Sequence, residues 1–264
     1  MYKMKISIIT ATYNSTYTLQ ETIESVLSQH DCEIEYIVVD GQSKDDTVEI
    51  IKQNEPRFND HMRWISEPDQ GIYDALNKGI RLATGDIIGF LHSDDAFASS
   101  SVIKTIQDTF EKTNADIVYG DLVYLDNKNQ EKILRYWRSQ PFSLSLLFRG
   151  WMPAHPTVFI KKEIYEKQGG YDDSFLISAD YDFMLRVFKN TSLHCVYLPQ
   201  VITKMRMGGT SNRNIRNILI KSKEDYRALR KNGFSYAWWI LAMKNISKLS
   251  QFLKRKSISS KNDY

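Results

Sequence analysis

At 264 residues, with 42% hydrophobic and 25% charged side chains, the chain is long enough for one large folded domain with an appendage and is unlike a disordered protein. Its net charge of +3 is unevenly divided: residues 215–264 hold 12 Lys and Arg against 3 Asp and Glu, so the preceding 214 residues carry a net charge of −6. This division indicates a separate role for the basic end. The two cysteines, Cys32 and Cys195, lack metal-ligand spacing and favour a reducing, cytoplasmic compartment.

The first 55 residues alternate between strand and helix patterns. Apolar, β-branched runs predict buried strands over residues 5–10 and 35–40. Helical spacing of apolar residues predicts a helix over 18–29 and the start of another over 48–52. Glu21 follows Thr18 by three residues, a capping-box pattern that indicates a capping role. Because this order implies parallel strands joined by right-handed crossovers, we expect an α/β fold. The N-terminal apolar run is too short for a signal peptide, and no small-residue cleavage site follows it.

The middle of the chain contains a strand that runs into two acidic residues. After a predicted strand over 62–66 and a helix over 75–83, the apolar run 87–91 is followed by Asp94 and Asp95. Open α/β sheets bind ligands at the carboxyl ends of their strands. Two adjacent carboxylates repel each other, and a bound cation with a preference for oxygen, Mg²⁺ or Mn²⁺, keeps both ionised. An acidic turn that caps the next helix is the alternative for this stretch alone.

Shorter elements follow the acidic pair. The pattern predicts helices over 99–112, 143–148, 162–168 and 178–188, strands over 116–119, 122–125, 131–137, 157–160 and 194–198, a glycine-bearing loop over 205–213, and helices over 215–231 and 234–256. We therefore expect a Rossmann-like, mostly parallel sheet flanked by helices in residues 1–214, with a basic, amphipathic helical extension over 215–264. No stretch of 18 apolar residues occurs in the sequence.

Three predicted strands end in polar or acidic residues: Thr12 to Asn14, Asp40, and the pair Asp94 and Asp95. In a parallel sheet these ends lie along one edge, where they form a ligand site. The glycine-rich loops G-x-G-x-x-G and G-x-x-x-x-G-K-[ST] are absent from the sequence. Carboxylates without a phosphate loop indicate a site that binds phosphate through a metal ion.

Four segments also occur in the order and spacing of a known family. They are K-I-S-I-I-T-A-T-Y-N, I-V-V-D-G-Q-S-K-D-D-T, D-Q-G-I-Y-D-A-L-N-K-G-I and G-D-I-I-G-F-L-H-S-D-D. Over about residues 3–211 the chain resembles the family 2 glycosyltransferases, which have the GT-A fold. The resemblance implies an inverting hexosyl- or N-acetylhexosaminyltransferase with Mn²⁺ or Mg²⁺ as its cofactor. The implied donor is a nucleotide-diphosphate sugar, with UDP-sugar as the first candidate. Bacterial exopolysaccharide and lipopolysaccharide enzymes are the most similar subgroup, so the implied acceptor is a glycan or a lipid-linked glycan.

The resemblance places the donor half in about residues 1–120. It implies nucleotide-sugar contacts there for Thr12, Tyr13, Asn14, Asp40, Asp69, Lys78 and Asp94, and a further one for Arg206 in the second half. Asp40 would accept a hydrogen bond from a base ring N–H, with capping of the next helix through the loop as the alternative. Many relatives have arginine in an A-R-N-x-G stretch that reads A-L-N-K-G here. Lys78 would supply the positive charge near the diphosphate instead, and this departure leaves its role open. Asp95 would bind the metal and Asp94 the ribose or sugar, whereas we expect His92 to be a packed residue.

On the acceptor side, in about residues 121–214, Asp180 matches the catalytic base of the family. Its segment reads S-A-D-Y-D-F-M-L-R, with Ala179 where glutamate is common, and a helix N-cap is the alternative role for Asp180. Trp151 and His155 fall in a segment that resembles the acceptor loop, and burial of Trp151 is an equal alternative. Arg206 begins a stretch that resembles a loop closing over the diphosphate.

The basic C-terminal segment lies outside the strong resemblance. Its apolar face predicts a helix that packs on the body, on a second subunit in a homodimer, or on an anionic membrane surface, which lipid-linked acceptors slightly favour. No nucleic-acid partner is expected. A nucleotidyltransferase is the rival enzyme class, but its glycine-rich signature loop is absent after the first strand. A nucleotide-sugar-binding protein without catalysis is disfavoured, because Asp40, Asp94, Asp95 and Asp180 are all present.

Overall fold

The computed structural model describes residues 3–127, 132–206 and 215–253. These residues contain nine strands in one mixed sheet: β1 Ile6–Thr12, β2 Ile34–Asp40, β3 Met62–Ser66, β4 Ile87–Phe90, β5 Asp95–Phe97, β6 Ile117–Leu125, β7 Ile133–Trp137, β8 Val158–Lys161 and β9 Cys195–Arg206. The helices are α1 Leu19–Leu27, α2 Thr47–Asn54, α3 Ile72–Leu82, α4 Val102–Thr113, α5 Leu144–Leu147, α6 Lys162–Gln168, α7 Ala179–Phe188, α8 Ile215–Lys231 and α9 Ala237–Leu253, with 3₁₀ turns at Glu55–Phe58 and His155–Thr157.

The sheet has the order β3-β2-β1-β4-β8-β6-β9-β5, and β7 pairs with β6. Strands β1 to β4, β6 and β9 run in one direction, whereas β5, β7 and β8 run against their neighbours. The predicted α/β fold, with a mostly parallel central sheet flanked by helices, is therefore confirmed. Residues at the carboxyl ends of β1, β2 and β4 lie along one edge, where the sequence predicts the site.

Strand β1 shows why its residues form the centre of the sheet. All seven of its residues are buried between β2 and β4. Its side chains alternate between two cores, with Ile9 in one core and Ile6 and Ile8 in the other, as the period of two in a strand requires. A run that is apolar on both faces is typical of a strand with helices on both sides.

The two longest strands extend beyond their predicted bounds, and β5 was not predicted. Residues predicted as two short strands form the single strand β6, and β9 continues through Pro199 to Arg206. The two strands pair in parallel from Ile117 with Cys195 to Leu125 with Arg206, with irregular register near Asp121. This long-range pairing extends both strands beyond what local propensity indicates. The predicted loop after Arg206 lies outside the described residues.

The C-terminal helices pack against the body. Ala228 and Leu229 of α8 and Ala237 and Ile240 of α9 are buried in the same core as residues of α3 and α7. The helices therefore pack on the body through these residues, whereas Trp238, Trp239 and Ile246 of the predicted apolar face are more than half exposed. Among the helices of the described residues, none combines the length and hydrophobicity that a bilayer crossing requires.

Candidate active site

The turn after β1 is fixed to the turn after β2. The Gly41 backbone N–H donates to the Thr12 carbonyl oxygen at 2.9 Å. Asn14 has a left-handed φ of 50°, and its side-chain oxygen accepts a hydrogen bond from the Lys44 N–H at 2.9 Å. Thr12 is buried, whereas the Tyr13 ring is 56% exposed. The two turns therefore form one rigid rim that presents the Tyr13 ring to solvent.

Asp40 ends β2 and is fully buried. Its carboxylate accepts hydrogen bonds from the Ser43 N–H at 3.0 Å and the Ser66 hydroxyl at 2.6 Å, and a third from the Ser43 hydroxyl. The structure thus gives this side chain a loop-fixing role, whereas the N-cap position of α2, the helix that was its alternative target, is occupied by Asp46. A nucleotide base that contacts Asp40 would have to exchange one of these donors.

Asp69 lies beside the same rim. Its carboxylate accepts a hydrogen bond from the Gly71 N–H at 2.9 Å and lies directly over Gly41, where a Cβ would be only 2.3 Å from Asp69 Oδ2. Tyr13 Cδ2 would be 3.4 Å from that Cβ. Any larger residue after β2 would therefore displace the Asp69 carboxylate from its position against the first two strands. Tyr13, Gly41 and Asp69 together line the edge where the sequence predicts the nucleotide.

Lys78 holds this loop rather than extending into a free space. Its ammonium donates to the Pro68 carbonyl oxygen at 2.7 Å and pairs with Glu67 at 2.9 Å and Asp74 at 3.4 Å. Although burial opposes the effect, these two carboxylates raise the pKa of Lys78. The predicted direct contact with the diphosphate is therefore replaced, in this structure, by contacts that fix the loop bearing Asp69.

The acidic pair after β4 has an unusual environment. Asp94 is half-buried, but Asp95 opens β5 and is only 2% exposed. Within the described residues, neither carboxylate oxygen of Asp95 has a hydrogen-bond partner. Burial and the charge of Asp94 raise the pKa of Asp95 well above its usual value, against the opposing charge of Arg206. A buried carboxylate without donors is the state expected of a metal ligand when no cation is bound.

His92 and His155 lie beneath the acidic pair, in an aromatic cluster. The His155 ring stacks on Phe90 at a centroid distance of 5.3 Å and lies 5.9 Å from the His92 ring. His155 Nε2 is 2.6 Å from the Tyr171 hydroxyl oxygen. Burial lowers the pKa of His155 to about 4, so the ring is neutral at pH 7. At 7% exposure His155 is packed inside this cluster, and its predicted acceptor-side contact stays a prediction.

Asp180 lies in the first turn of α7, after the N-cap Ser178. It is therefore not the N-cap itself, which was its alternative role. Its Oδ1 accepts hydrogen bonds from the Tyr181 N–H at 2.8 Å and the Tyr73 hydroxyl at 3.2 Å. Burial lowers the pKa of His92, and the charges of Asp94 and Asp180 both oppose that shift. Asp94 and Asp180 therefore both lie close enough to His92 to act on its charge.

The sequence model described as "Glycosyl transferase family 2" matches residues 7–176. The chain belongs to that family. An uncharacterized glycosyltransferase of Mycobacterium tuberculosis strain H37Rv is 37% identical over 201 residues, which are 72% of each chain. A PGL/p-HBAD biosynthesis glycosyltransferase of Mycobacterium bovis strain BCG is 29% identical over 208 residues, 78% of each chain.

Two solved structures share the fold of this family 2 glycosyltransferase. Residues 1–349 of TarS from S. aureus, in complex with UDP-GlcNAc, match with a TM-score of 0.70 and 18% identity over 96% of this chain and 76% of that one. The mannosyltransferase PcManGT from Pyrobaculum calidifontis, in complex with GDP-Man and Mn²⁺, matches with a TM-score of 0.65 and 15% identity over 97% and 77%. The chain spans only 45% of the longer TarS chain.

Two further residues that were predicted to contact substrate, Arg206 and Trp151, contact other side chains of this family 2 glycosyltransferase. Arg206 forms an ion pair with Glu21 of α1, a residue for which the sequence indicated a capping role. Trp151 is half-buried, with its ring 5.9 Å from the Tyr119 centroid and 6.4 Å from that of Phe188. Packing of Trp151, the alternative to acceptor contact, is the role that these distances favour. The predicted ion pair between Asp182 and Arg186 is present at 3.3 Å.

Sequence reasoning left open the role of two residues that connect the halves of this enzyme. Asn77 of α3 bonds the backbone of Tyr171 twice, through its Nδ2 to the carbonyl oxygen at 2.9 Å and its Oδ1 to the N–H at 2.8 Å. Tyr73 reaches Asp180 from the same helix. Both residues lie in the segment D-Q-G-I-Y-D-A-L-N-K-G-I, where local sequence does not separate a packing role from a role in the site.

Proposed function

We propose that this family 2 glycosyltransferase is a metal-dependent inverting enzyme that transfers a sugar from a UDP-sugar to a glycan or lipid-linked acceptor. The observation that carries the proposal is the buried carboxylate of Asp95, which has no donor among the described residues and lies next to Asp94 at the carboxyl edge of the sheet. Residues 1–120 would bind the donor, and residues 121–214 would supply the base and the acceptor surface.

The acidic pair fits a divalent cation that the substrate helps to bind. Among the described residues, no three His, Cys, Asp or Glu side chains are arranged to hold a metal by themselves. Mg²⁺ and Mn²⁺ in nucleotide enzymes are commonly bound by one or two carboxylates together with substrate phosphates. We assign Asp95 as the metal ligand and Asp94, the more accessible carboxylate, as a contact to the ribose or sugar. A cation there would neutralise charge on the leaving diphosphate.

The rim at β1 and β2 is suited to the nucleoside. Tyr13 offers an exposed ring, and Thr12, Asn14, Asp40 and Asp69 offer polar atoms around Gly41. Lys78 would act by holding the Asp69 loop. Arg206 would exchange Glu21 for the diphosphate, because a phosphate oxygen competes well with a half-exposed carboxylate for a guanidinium. The UDP-GlcNAc complex of TarS supports uracil as the base, although the GDP-Man complex of PcManGT makes guanine the first competitor.

Asp180 would act as the general base. As the acceptor oxygen bonds to the anomeric carbon, the bond from that carbon to the diphosphate breaks, and Asp180 takes the proton from the acceptor hydroxyl. Attack from the face opposite the diphosphate inverts the anomeric configuration. The Tyr73 hydroxyl, 3.2 Å from Asp180 Oδ1, would orient the carboxylate toward the acceptor.

The test is an Asp180→Asn variant, with Asp173→Asn as an exposed control in the segment before α7. A panel of UDP-, GDP- and dTDP-sugars with Mn²⁺ first identifies the donor by thermal shift and by nucleotide release. We expect Asp180→Asn to bind UDP and Mn²⁺ as the wild type does, but to lose at least about 100-fold in turnover. Asp173→Asn should match the wild type. Wild-type turnover in Asp180→Asn would reject the assigned base.

The exposed face of the C-terminal helices favours a lipid-linked acceptor. Tyr236, Trp238 and Trp239 are 52–67% exposed at the start of α9. Both acidic residues of α8, Glu224 and Asp225, are buried, so the exposed charged residues that the structure describes on α8 are all basic. Exposed aromatic rings next to exclusively basic charge suit an anionic membrane surface, whereas two copies of such a face would repel each other in a homodimer.

Vesicle co-sedimentation tests this surface. We expect the protein to bind vesicles that contain phosphatidylglycerol and not vesicles of phosphatidylcholine alone, and a Trp238→Ala/Trp239→Ala variant to lose most of that binding. Tyr17, 96% exposed on the α1 side, gives the control variant Tyr17→Ala, which should bind as the wild type does. Binding unchanged by the double substitution would contradict the membrane surface. A wild-type dimer in sedimentation velocity that the double substitution dissociates would support a subunit interface instead.

A further inference from the structure

The helix α8 makes an unusual contact with the segment in front of Asp180. Glu224 of α8 is 8% exposed, and its carboxylate accepts hydrogen bonds from three consecutive backbone N–H groups. The donors are Leu176 at 2.8 Å to Oε1, and Ile177 at 2.8 Å and Ser178 at 3.0 Å to Oε2. Hydrogen bonds to an ionised acceptor are stronger than neutral ones, so one side chain fixes the whole entry to α7.

This fixed segment is connected to the base by a second contact. The Ile177 carbonyl oxygen accepts a hydrogen bond from the Tyr73 hydroxyl at 2.5 Å, and the same hydroxyl lies 3.2 Å from Asp180 Oδ1. Burial and the charges of Asp180 and Glu224 raise the pKa of Tyr73, so it remains a neutral donor. The Ser178 carbonyl oxygen accepts the Asp182 N–H at 3.0 Å in the first turn of α7. Glu224 therefore sets the position of both partners of the Tyr73 hydroxyl.

The location of Glu224 also suits a carboxylate. Its three donors immediately precede the first residue of α7, Ala179, where the helix presents partial positive charge. Asp225, the next residue of α8, makes a separate contact: it pairs with Lys244 of α9 at 2.9 Å, and the Lys244 ammonium lies 3.2 Å from the Tyr181 ring centroid. The two buried acids of α8 thus contact the base helix by different routes, and only Glu224 bonds the backbone in front of it.

We propose that Glu224 is a positioning residue for Asp180: it acts through the backbone of residues 176–178 and the Tyr73 hydroxyl, and it touches neither substrate nor metal. The inference rests on the proposed function, since it requires Asp180 to be the base. It assigns a role in the reaction to the C-terminal helices, which lie outside the segment that matches the family.

The decisive variant is Glu224→Gln. Glutamine keeps the size of the side chain, but its amide nitrogen cannot accept the N–H groups that Oε1 or Oε2 now binds. A shift of the base by about 1 Å lowers turnover strongly, so we expect a roughly 10- to 100-fold fall in kcat, with the donor KM and the Kd for UDP with Mn²⁺ unchanged. The assay is nucleotide release from the best sugar nucleotide of the panel. Glu224→Asp keeps the charge with a shorter reach and should recover part of kcat.

Asp172→Asn is the matched control, because Asp172 also connects this segment to α8, through Lys231 at 2.8 Å, but lies farther from Asp180 along the chain. It should keep wild-type kcat even where its melting temperature falls as much as that of Glu224→Gln. If Glu224→Gln does not fold, Glu224→Asp replaces it, and wild-type kcat in Glu224→Asp then counts against the proposal.

A double substitution separates a positioning role from a general loss of structure. In an Asp180→Asn background, Glu224→Gln should cause no further fall in the residual turnover, because the group that it positions is gone. Independent, multiplicative losses would overturn the proposal. If Asp180→Asn itself keeps wild-type turnover, the proposed function fails. If Asp180→Asn is inactive and Glu224→Gln has wild-type kcat, only the role of Glu224 is rejected.

Discussion

Two buried carboxylates at the same edge of the sheet have opposite environments. Asp40, at the end of β2, accepts three hydrogen bonds from Ser43 and Ser66. Asp95, just beyond β4, has both oxygens buried and, within the described parts of the chain, without a donor. The first carboxylate is satisfied by protein donors in the free protein, whereas in the proposed function a cation would satisfy the second. The hydrogen bonds around each carboxylate therefore separate a loop anchor from the candidate metal ligand, which sequence position alone does not.

The largest expected effect is on Asp95. Replacement by asparagine removes the charge with little change in volume, so we expect Mn²⁺-dependent UDP binding to weaken by roughly 100-fold. Metal-free stability should stay the same or rise, since a buried charge without donors is lost. Calorimetry with UDP and Mn²⁺, and urea unfolding in EDTA, measure the two effects. Asp46→Asn, an exposed acid near the same edge, is the control. Wild-type affinity in Asp95→Asn would place the cation elsewhere.

Substitution of His155 tests whether burial alone shifts the pKa of a side chain at the carboxyl edge of the sheet. Burial lowers its pKa from 6.5 to about 4, so the unfolded state binds a proton more readily than the folded state between these values. Stability is therefore fully present above pH 6.5 and falls as the pH decreases toward 4, by up to about 3 kcal/mol.

His155→Gln should remove this part of the pH dependence, and urea unfolding at pH 7.5, 5.5 and 4.5 measures it. The exposed His30 provides the control His30→Gln, which should keep the wild-type slope. The same slope in His155→Gln would show that other groups cause the loss at low pH, and burial would then be a weaker argument for the environment of Asp95.

Asp40 should show the opposite behaviour to Asp95. In Asp40→Asn an amide nitrogen faces the Ser43 N–H or a serine hydroxyl, so we expect a loss of about 2 kcal/mol in unfolding free energy without metal. Ser66→Ala removes a single donor and should cost about 1 kcal/mol. Urea unfolding of both variants measures the ratio. An unchanged unfolding free energy in Asp40→Asn would mean that the serine contacts contribute little, and the comparison with Asp95 would lose its basis.

The parts of this site that local sequence predicted are those built from single strands and their following turns. The parallel core, the rim at Thr12 to Asn14 and the acidic pair follow from apolar runs that end in polar residues. Contacts between distant segments were not predictable: Glu21 with Arg206, Asn77 with Tyr171, and Glu224 with the entry to α7 are 185, 94 and 46–48 residues apart. Such pairs depend on topology, and each residue has an equally good local explanation, as the capping role of Glu21 illustrates.

The smallest expected effect concerns Gly41, which lies between the two environments compared above. A Cβ there would be 2.3 Å from Asp69 Oδ2, so Gly41→Ala must displace the Asp69 carboxylate, at a cost of about 1 kcal/mol or less because a side chain and not backbone is moved. UDP affinity should nevertheless fall several-fold, since the rim beside Tyr13 loses its shape. In an Asp69→Ala background the same substitution should have no effect on UDP affinity, because nothing is left to displace. If Gly41→Ala weakens UDP binding equally in both backgrounds, the close approach at residue 41 serves the nucleotide itself and not the Asp69 loop.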